Sequence, residues 1–209
     1  GRDMSVKDQE FLYNIFRREI KDRKIPLSLG KTCPVKCTFC YEMDHSYRKT
    51  FETPLTTQEH WEFIFNEIQS FPTRESESWI LGGNEYMEWT DLALHPKAMD
   101  WIEEFLDKTD KKITMFSVGY FDPVRINRLA EKYPGRINFE LSVITLGSYR
   151  EQLMPKGPSV KQVLAVLDGP AVTSANFYSF GPGSMSQDAK QISDINKDCL
   201  LWMGCLTPL

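Results

Sequence analysis

The sequence predicts an α/β fold built on parallel strands. Three observations carry this. Six short apolar runs recur along the chain, helical patterns of roughly 10 to 15 residues separate them, and 209 residues with 41% hydrophobic side chains are enough for one substantial core. Strands alternating with helices imply parallel strands joined by right-handed crossovers. Six such units make either an open doubly wound sheet or an incomplete barrel, and periodicity does not choose between them. In both architectures ligands sit beyond the carboxyl ends of the strands.

The elements follow in order. "SVKDQEFLYNIFRREIKDRK" carries Phe11, Leu12, Ile15, Phe16 and Ile20 at helical spacing, so residues 1–24 form an N-terminal helical lead-in and 25–209 the core. "IPLSLGKTCP" is a first short strand running into a cysteine-rich loop. "TTQEHWEFIFNEIQSF" is a helix with a Thr cap and Trp61, Ile64, Phe65 and Ile68 on its buried face. Then come "SWILGG" (strand), "KAMDWIEEFLDK" (helix), "KITMFSVG" (strand) and "DPVRINRLAEKY", a helix whose Pro123 stands early, where no amide hydrogen is needed. "RINFELSVIT", "AVTSANFYSF" and "CLLWMGCL" complete the strands, with helices in "SVKQVLAVLD" and "DAKQISDIN" between them. No helix follows the sixth strand to cover it, so a truncated chain, or one cut from a longer protein, is expected.

Composition narrows the function classes. No run approaches the roughly 18 apolar residues of a membrane span, and the start has neither a signal core nor a transit pattern; a cytoplasmic protein without a membrane partner is expected. A net charge of -4 gives no general argument for nucleic acid. Three of the five cysteines, Cys33, Cys37 and Cys40, fall within eight positions in "CPVKCTFC", which fits a reducing compartment and metal chemistry better than a disulfide framework. The loop that holds them follows the first strand, on the ligand-binding edge. With His45, these thiols would make a closed Cys₃His zinc site on a non-catalytic scaffold; alone, they would hold a [4Fe–4S] cluster with one iron open.

The CxxxCxxC spacing after a first strand resembles the radical S-adenosylmethionine (SAM) enzymes. Phe39 stands before the third cysteine, where that family usually has an aromatic residue. "LGGNEYMEW" follows strand two, where the family has a Gly-Gly-Glu type motif, so Gly82, Gly83, Asn84 and Glu85 become candidates to meet the methionine end of SAM. Asn84 intervenes before the acid, which leaves open whether Asn84 or Glu85 meets the amino group. The resemblance implies a partial parallel (β/α)₆ TIM-like barrel, a [4Fe–4S] cluster on Cys33, Cys37 and Cys40, and SAM chelated at the open iron. It further implies reductive SAM cleavage to a 5′-deoxyadenosyl radical, hydrogen abstraction from substrate, and a flavodoxin- or ferredoxin-type reductant as partner.

The resemblance also implies a polar residue for the ribose and a basic one for the SAM carboxylate at the edge of strand four, for which Ser142 and Arg150 are the candidates; the planar guanidinium suits the second role. Glu140 shares a face with Ser142 and would be costly there unless it meets a ligand or cation. The turn at Gly181, Pro182 and Gly183 and the side chains of Trp202 and Met203 are further adenine-facing candidates, although core packing is expected for the last two. Cys199 and Cys205 read as core thiols, His60 as a helix residue, and His95, before Pro96, as a helix start. Tyr41 stands beside the last cysteine. A six-stranded barrel keeps a lateral opening, which favours a peptide or protein substrate over a small molecule or nucleotide; no motif indicates the reaction that follows hydrogen abstraction.

Overall fold

The computed structural model describes residues 4–27, 33, 35–40, 55–81 and 91–204. Helix starts follow from side chains that satisfy the otherwise unpaired first amides. Ser5 caps α1 (Val6–Lys21) by accepting from the Asp8 amide. Thr57 and His60 cap α2 (Gln58–Gln69) reciprocally. α3 (Ala98–Lys108) has no side-chain cap. Asp122 accepts from the Val124 and Arg125 amides at the head of α4 (Pro123–Lys132). A four-residue α5 (Arg150–Leu153) precedes α6 (Val160–Leu167), which Ser159 caps, and α7 (Ser184–Ile195) follows a left-handed Gly183.

The strands are β1 (Lys24–Ile25), β2 (Ser78–Leu81), β3 (Lys112–Ser117), β4 (Ile137–Ile144), β5 (Val172–Tyr178) and β6 (Leu200–Gly204). They form one all-parallel sheet in sequential order. Sequential order excludes the doubly wound alternative, in which the order reverses at a switch point. Among the described residues the sheet does not close, and β1 and β6 are its edges.

The two faces differ in chemistry. Trp79, Leu81, Ile113, Met115, Phe139, Leu141, Ala175 and Phe177 are buried with the apolar stripes of six of the helices in one core. α1 belongs to it through Leu12, Ile15, Phe16 and Ile20. Each such Leu, Ile or Phe contributes about 1.5–3 kcal/mol relative to exposure. Between α2 and α3, Trp61 stacks on Trp101 with centroids 5.1 Å apart, and their indole N–H groups donate to Glu104 and Gln58. The opposite face carries Thr114, Phe116, Glu140, Ser142, Ser174, Asn176, Leu200 and Trp202, none of them fully buried. No helix among the described residues is long and apolar enough to cross a membrane.

Three elements depart from the expected pattern. β1 starts at Lys24, one residue ahead of the expected "IPLSLG". A short 3-10 turn spans Leu92–Leu94, and α5 interrupts the segment between β4 and α6. Trp202 and Met203, expected in the core, are 60% and 61% exposed. β6 is an edge strand: Leu201 packs against the core, Trp202 lies on the opposite face beside Asn176, and Met203, although level with Phe177 on the core side, stays exposed at the edge.

Candidate functional site

The cysteine loop docks over the carboxyl ends of β3, β4 and β5. Val35 is buried against Ile144 and Met154, and around this trio pack Cys33, Cys37 and Phe39 of the loop with Val118, Tyr120, Leu153, Tyr178 and Phe180. Two main-chain bonds pin the loop: the Thr38 amide donates to Leu153 O at 3.0 Å and the Lys156 amide to Val35 O at 3.4 Å. A turn closed by the Cys40 amide on Cys37 O (3.2 Å) keeps the last two thiols on one bend.

The three cysteines are half-buried. Burial, and next the Cys40 and Cys33 thiols, push Cys37 up to about 12, because a thiolate here would be desolvated and beside like charge. The nearby Tyr120 hydroxyl is also raised, first by burial and then by Asp91, Cys33 and Cys37. Among the described residues no three His, Cys, Asp or Glu side chains converge on one metal-ion position.

A partly buried acid, a buried acid and a buried base hold the platform beneath the loop. Asp91, ahead of the 3-10 turn, accepts from Ser117 Oγ (2.7 Å) and the Ala93 amide (3.0 Å) on Oδ1, and from the Val118 amide (2.7 Å) on Oδ2. It thereby ties the end of β3 to the turn. Burial raises the Asp91 carboxyl, with these bonds opposing the rise. Asp188, from α7, accepts from Thr145 Oγ1 (2.8 Å) and the Leu146 amide (3.1 Å).

Arg150 points inward and is 5% exposed. Its Nη1 donates to Val143 O (2.5 Å) and Thr145 O (3.0 Å), while Nε and Nη2 donate to Pro158 O (3.1 and 2.9 Å). Of the five guanidinium N–H groups, one is left for anything else. The side chain that the sequence offered to a ligand carboxylate therefore serves the backbone at the end of β4. Burial lowers its pKa, while Cys37, Tyr120 and Asp188 oppose that, so its charge lies within reach of the thiols.

Ser142 is half-buried on the open sheet face and pairs in register with Asn176. Asn176 Oδ1 is buried with no hydrogen-bond partner among the described residues. Glu140, one residue pair below, lies opposite Phe116 and Ser174, and burial alone raises its carboxyl. Gly181 and Gly183 both take positive φ in the turn before α7, where the Phe180 amide donates to Ser184 Oγ. His60 completes the α2 cap. His95 is buried between the Lys97 amide, which donates to Nδ1, and Thr56 O. Cys199 is a core thiol, pushed up to about 11 by burial. Gly82, Gly83, Asn84, Glu85, Tyr41, His45 and Cys205 lie outside the described residues.

The structure thus brings Cys33, Cys37 and Phe39 onto a platform with Arg150, and leaves Ser142 and Glu140 lower on the open face. The reading from sequence missed Asp91 and Asp188. Asp188 did carry a signal, since it stands four residues before the buried Ile192 on the apolar stripe of α7. No known family model matches the chain, and no curated protein matches it.

Proposed function

We propose that this chain is a radical SAM enzyme in which Cys33, Cys37 and Cys40 hold a [4Fe–4S] cluster. The sheet would then be the partial barrel of that class, open at the side to a peptide or protein segment. The observation that carries the reading is the position of three neighbouring thiols at the carboxyl ends of a singly wound parallel sheet, above a mixed polar and apolar face that none of the described helices covers.

The donor set fits such a group. Thiolates held this close oppose one another's ionisation, and several cationic irons supply the charge that reverses this. A cluster takes each thiolate on a different iron, so its ligands need not converge on one point as those of tetrahedral zinc must. When bound, the cluster supplies an electron and an open coordination position for SAM. The chain's own residues supply the rest. Val35, Ile144 and Met154 exclude water beneath the loop, Phe39 shields its side, and the Arg150 cation offsets negative charge gathered on the thiolates.

The test is an electron paramagnetic resonance spectrum of anaerobically reconstituted, dithionite-reduced protein with and without SAM. A reduced [4Fe–4S] signal that shifts on adding SAM, with 5′-deoxyadenosine released, is the expected result. Zinc content with neither cluster signal nor SAM cleavage overturns the proposal.

A further inference from the structure

At the end of β4 the backbone does something a β-branched residue resists. Ile144 has a φ of 66°, and the Thr145 amide donates to Val143 O at 2.8 Å across it. A hydrogen bond spanning a single residue of positive φ marks the rare, strained kind of γ-turn, and Ile is among the residues least suited to that region. Such a conformation persists only where its surroundings over-determine it.

Here the surroundings are two buried, oppositely charged side chains. Arg150 holds the carbonyls on both sides of Ile144, those of Val143 and Thr145, and with its other edge grips Pro158 O. Asp188 reaches over from α7 to take the Thr145 hydroxyl and the Leu146 amide. Thr145, Asp188 and Arg150 are 1%, 3% and 5% exposed, so water does not replace these bonds. Arg150 also begins α5, and α5 with the loop after it supplies both main-chain partners that pin the cysteine loop, Leu153 O and the Lys156 amide. The side chain turned by the strain, Ile144, packs directly against Val35.

From this continuous chain of contacts we infer that Arg150 and Asp188 are positioning residues: they clamp the strained turn at Ile144 and α5 into the platform that sets where the Cys33, Cys37 and Cys40 thiols stand. That these thiols ligate iron rests on the function proposed above; their placement by the clamp does not. The guanidinium fork is essential because it addresses three carbonyls from one plane, which the single ammonium of Lys does not do.

The experiment measures the alkylation rate of each cysteine by mass spectrometry in metal-free, reduced protein, for wild type, Arg150→Lys, Arg150→Met and Asp188→Asn. The expected result is selective local release: Cys33, Cys37 and Cys40 react about tenfold faster in Arg150→Met, and less so in the other two, while buried Cys199 keeps its wild-type rate. Reconstituted variants should also lose iron affinity by about 10–100-fold. Unchanged rates at the three cysteines overturn the inference. A uniform acceleration that includes Cys199 in all three variants, the milder Asp188→Asn among them, overturns it as well, because the clamp would then serve the whole fold. Accelerated thiols in a protein that takes up no cluster would sink the function proposed above and leave the clamp standing.

Discussion

Replacing Asp91 tests whether the end of β3 is held by one carboxylate. In Asp91→Ala, Ser117 Oγ and the Ala93 and Val118 amides lose their shared acceptor. A hydrogen bond to a charged group is worth about 1.5–3 kcal/mol, but the three do not add. The Ser117 hydroxyl can turn elsewhere, the half-buried Ala93 amide can find water, and removing a desolvated carboxylate returns part of the loss. The Val118 amide has the least recourse, so we expect a net cost of about 2–3 kcal/mol, a sizeable part of a typical 5–15 kcal/mol domain stability. Asp91→Asn should cost less: Oδ1 still serves Ser117 and Ala93, and only the Val118 amide then faces another donor. The folded-state pKa of Asp91 is raised above 3.8, so its contribution to stability is full below that pH and is lost as pH rises through the folded value. Urea unfolding of both variants measures the costs, and the Asn variant should lack this part of the acid-range slope. A cost below about 0.5 kcal/mol for Asp91→Ala, or a larger cost for Asn than for Ala, would refute the reasoning.

Three further outcomes follow from the same contacts. His95 is neutral in the fold, since its Nδ1 accepts from the Lys97 amide, and burial lowers its pKa below 6.5; its stabilisation is therefore present above pH 6.5 and lost as pH falls through the folded value, so thermal melts between about pH 8 and pH 5 should show a decline that His95→Gln reduces. Gly169→Ala would place a Cβ 2.3 Å from Asn127 Cγ and Oδ1, and Asn127 is held by bonds to Pro123 O, Val166 O and the Ala171 amide; overpacking of about 1–3 kcal/mol is expected, and a urea midpoint equal to wild type would show that Asn127 moves freely. Glu140→Gln should stabilise the fold by a few tenths of a kcal/mol, a small effect because the half-buried group is still screened by solvent, and so raise the urea midpoint slightly, because a carboxyl raised by burial gives up stability as pH climbs past 4.5; a lowered midpoint would mean that Glu140 meets a cation in the folded chain.

The fold was readable where hydrophobic periodicity and capping residues act locally. Ser5, Thr57, Asp122 and Ser159 each announce a helix start within three residues of the group they satisfy, and the strands' alternation reports which face meets the helices. Periodicity alone did not give sequential strand order, because order and register depend on contacts between elements and not within them; only the resemblance to a partial barrel implied it. The cysteine spacing drew attention to the loop and its edge of the sheet, yet did not give its seat: the bonds from Thr38 to Leu153 and from Lys156 to Val35 join residues more than a hundred positions apart. Arg150 misled for a related reason. In "SYREQL" it looks like a solvated helix-start residue able to reach a ligand, and only the strained turn beside it shows why four of its N–H groups are taken by carbonyls.

The contrast between the sheet's faces locates where this protein has set stability aside. On the helix side β1 to β5 each contribute side chains that are buried and apolar, and the edge strand β6 contributes the partly buried Leu201. On the other side Ser78 and Thr114 hydroxyls bond each other, Glu140 sits half-buried, Asn176 keeps a buried acceptor without a partner among the described residues, and Phe116, Leu200 and Trp202 remain exposed. Buried polar atoms are nearly always satisfied, and a sheet shaped only by folding would cover those rings or exchange the polar groups for apolar ones. The strain at Ile144 and the closely spaced thiols, where burial and neighbouring thiols oppose the ionisation of Cys37, lie at the upper rim of that same face. Three independent local costs, in hydrogen bonding, backbone conformation and electrostatics, meet beside one open surface. Their separate origins make an accident of packing a poor account, and a surface kept for function at some expense of stability a better one.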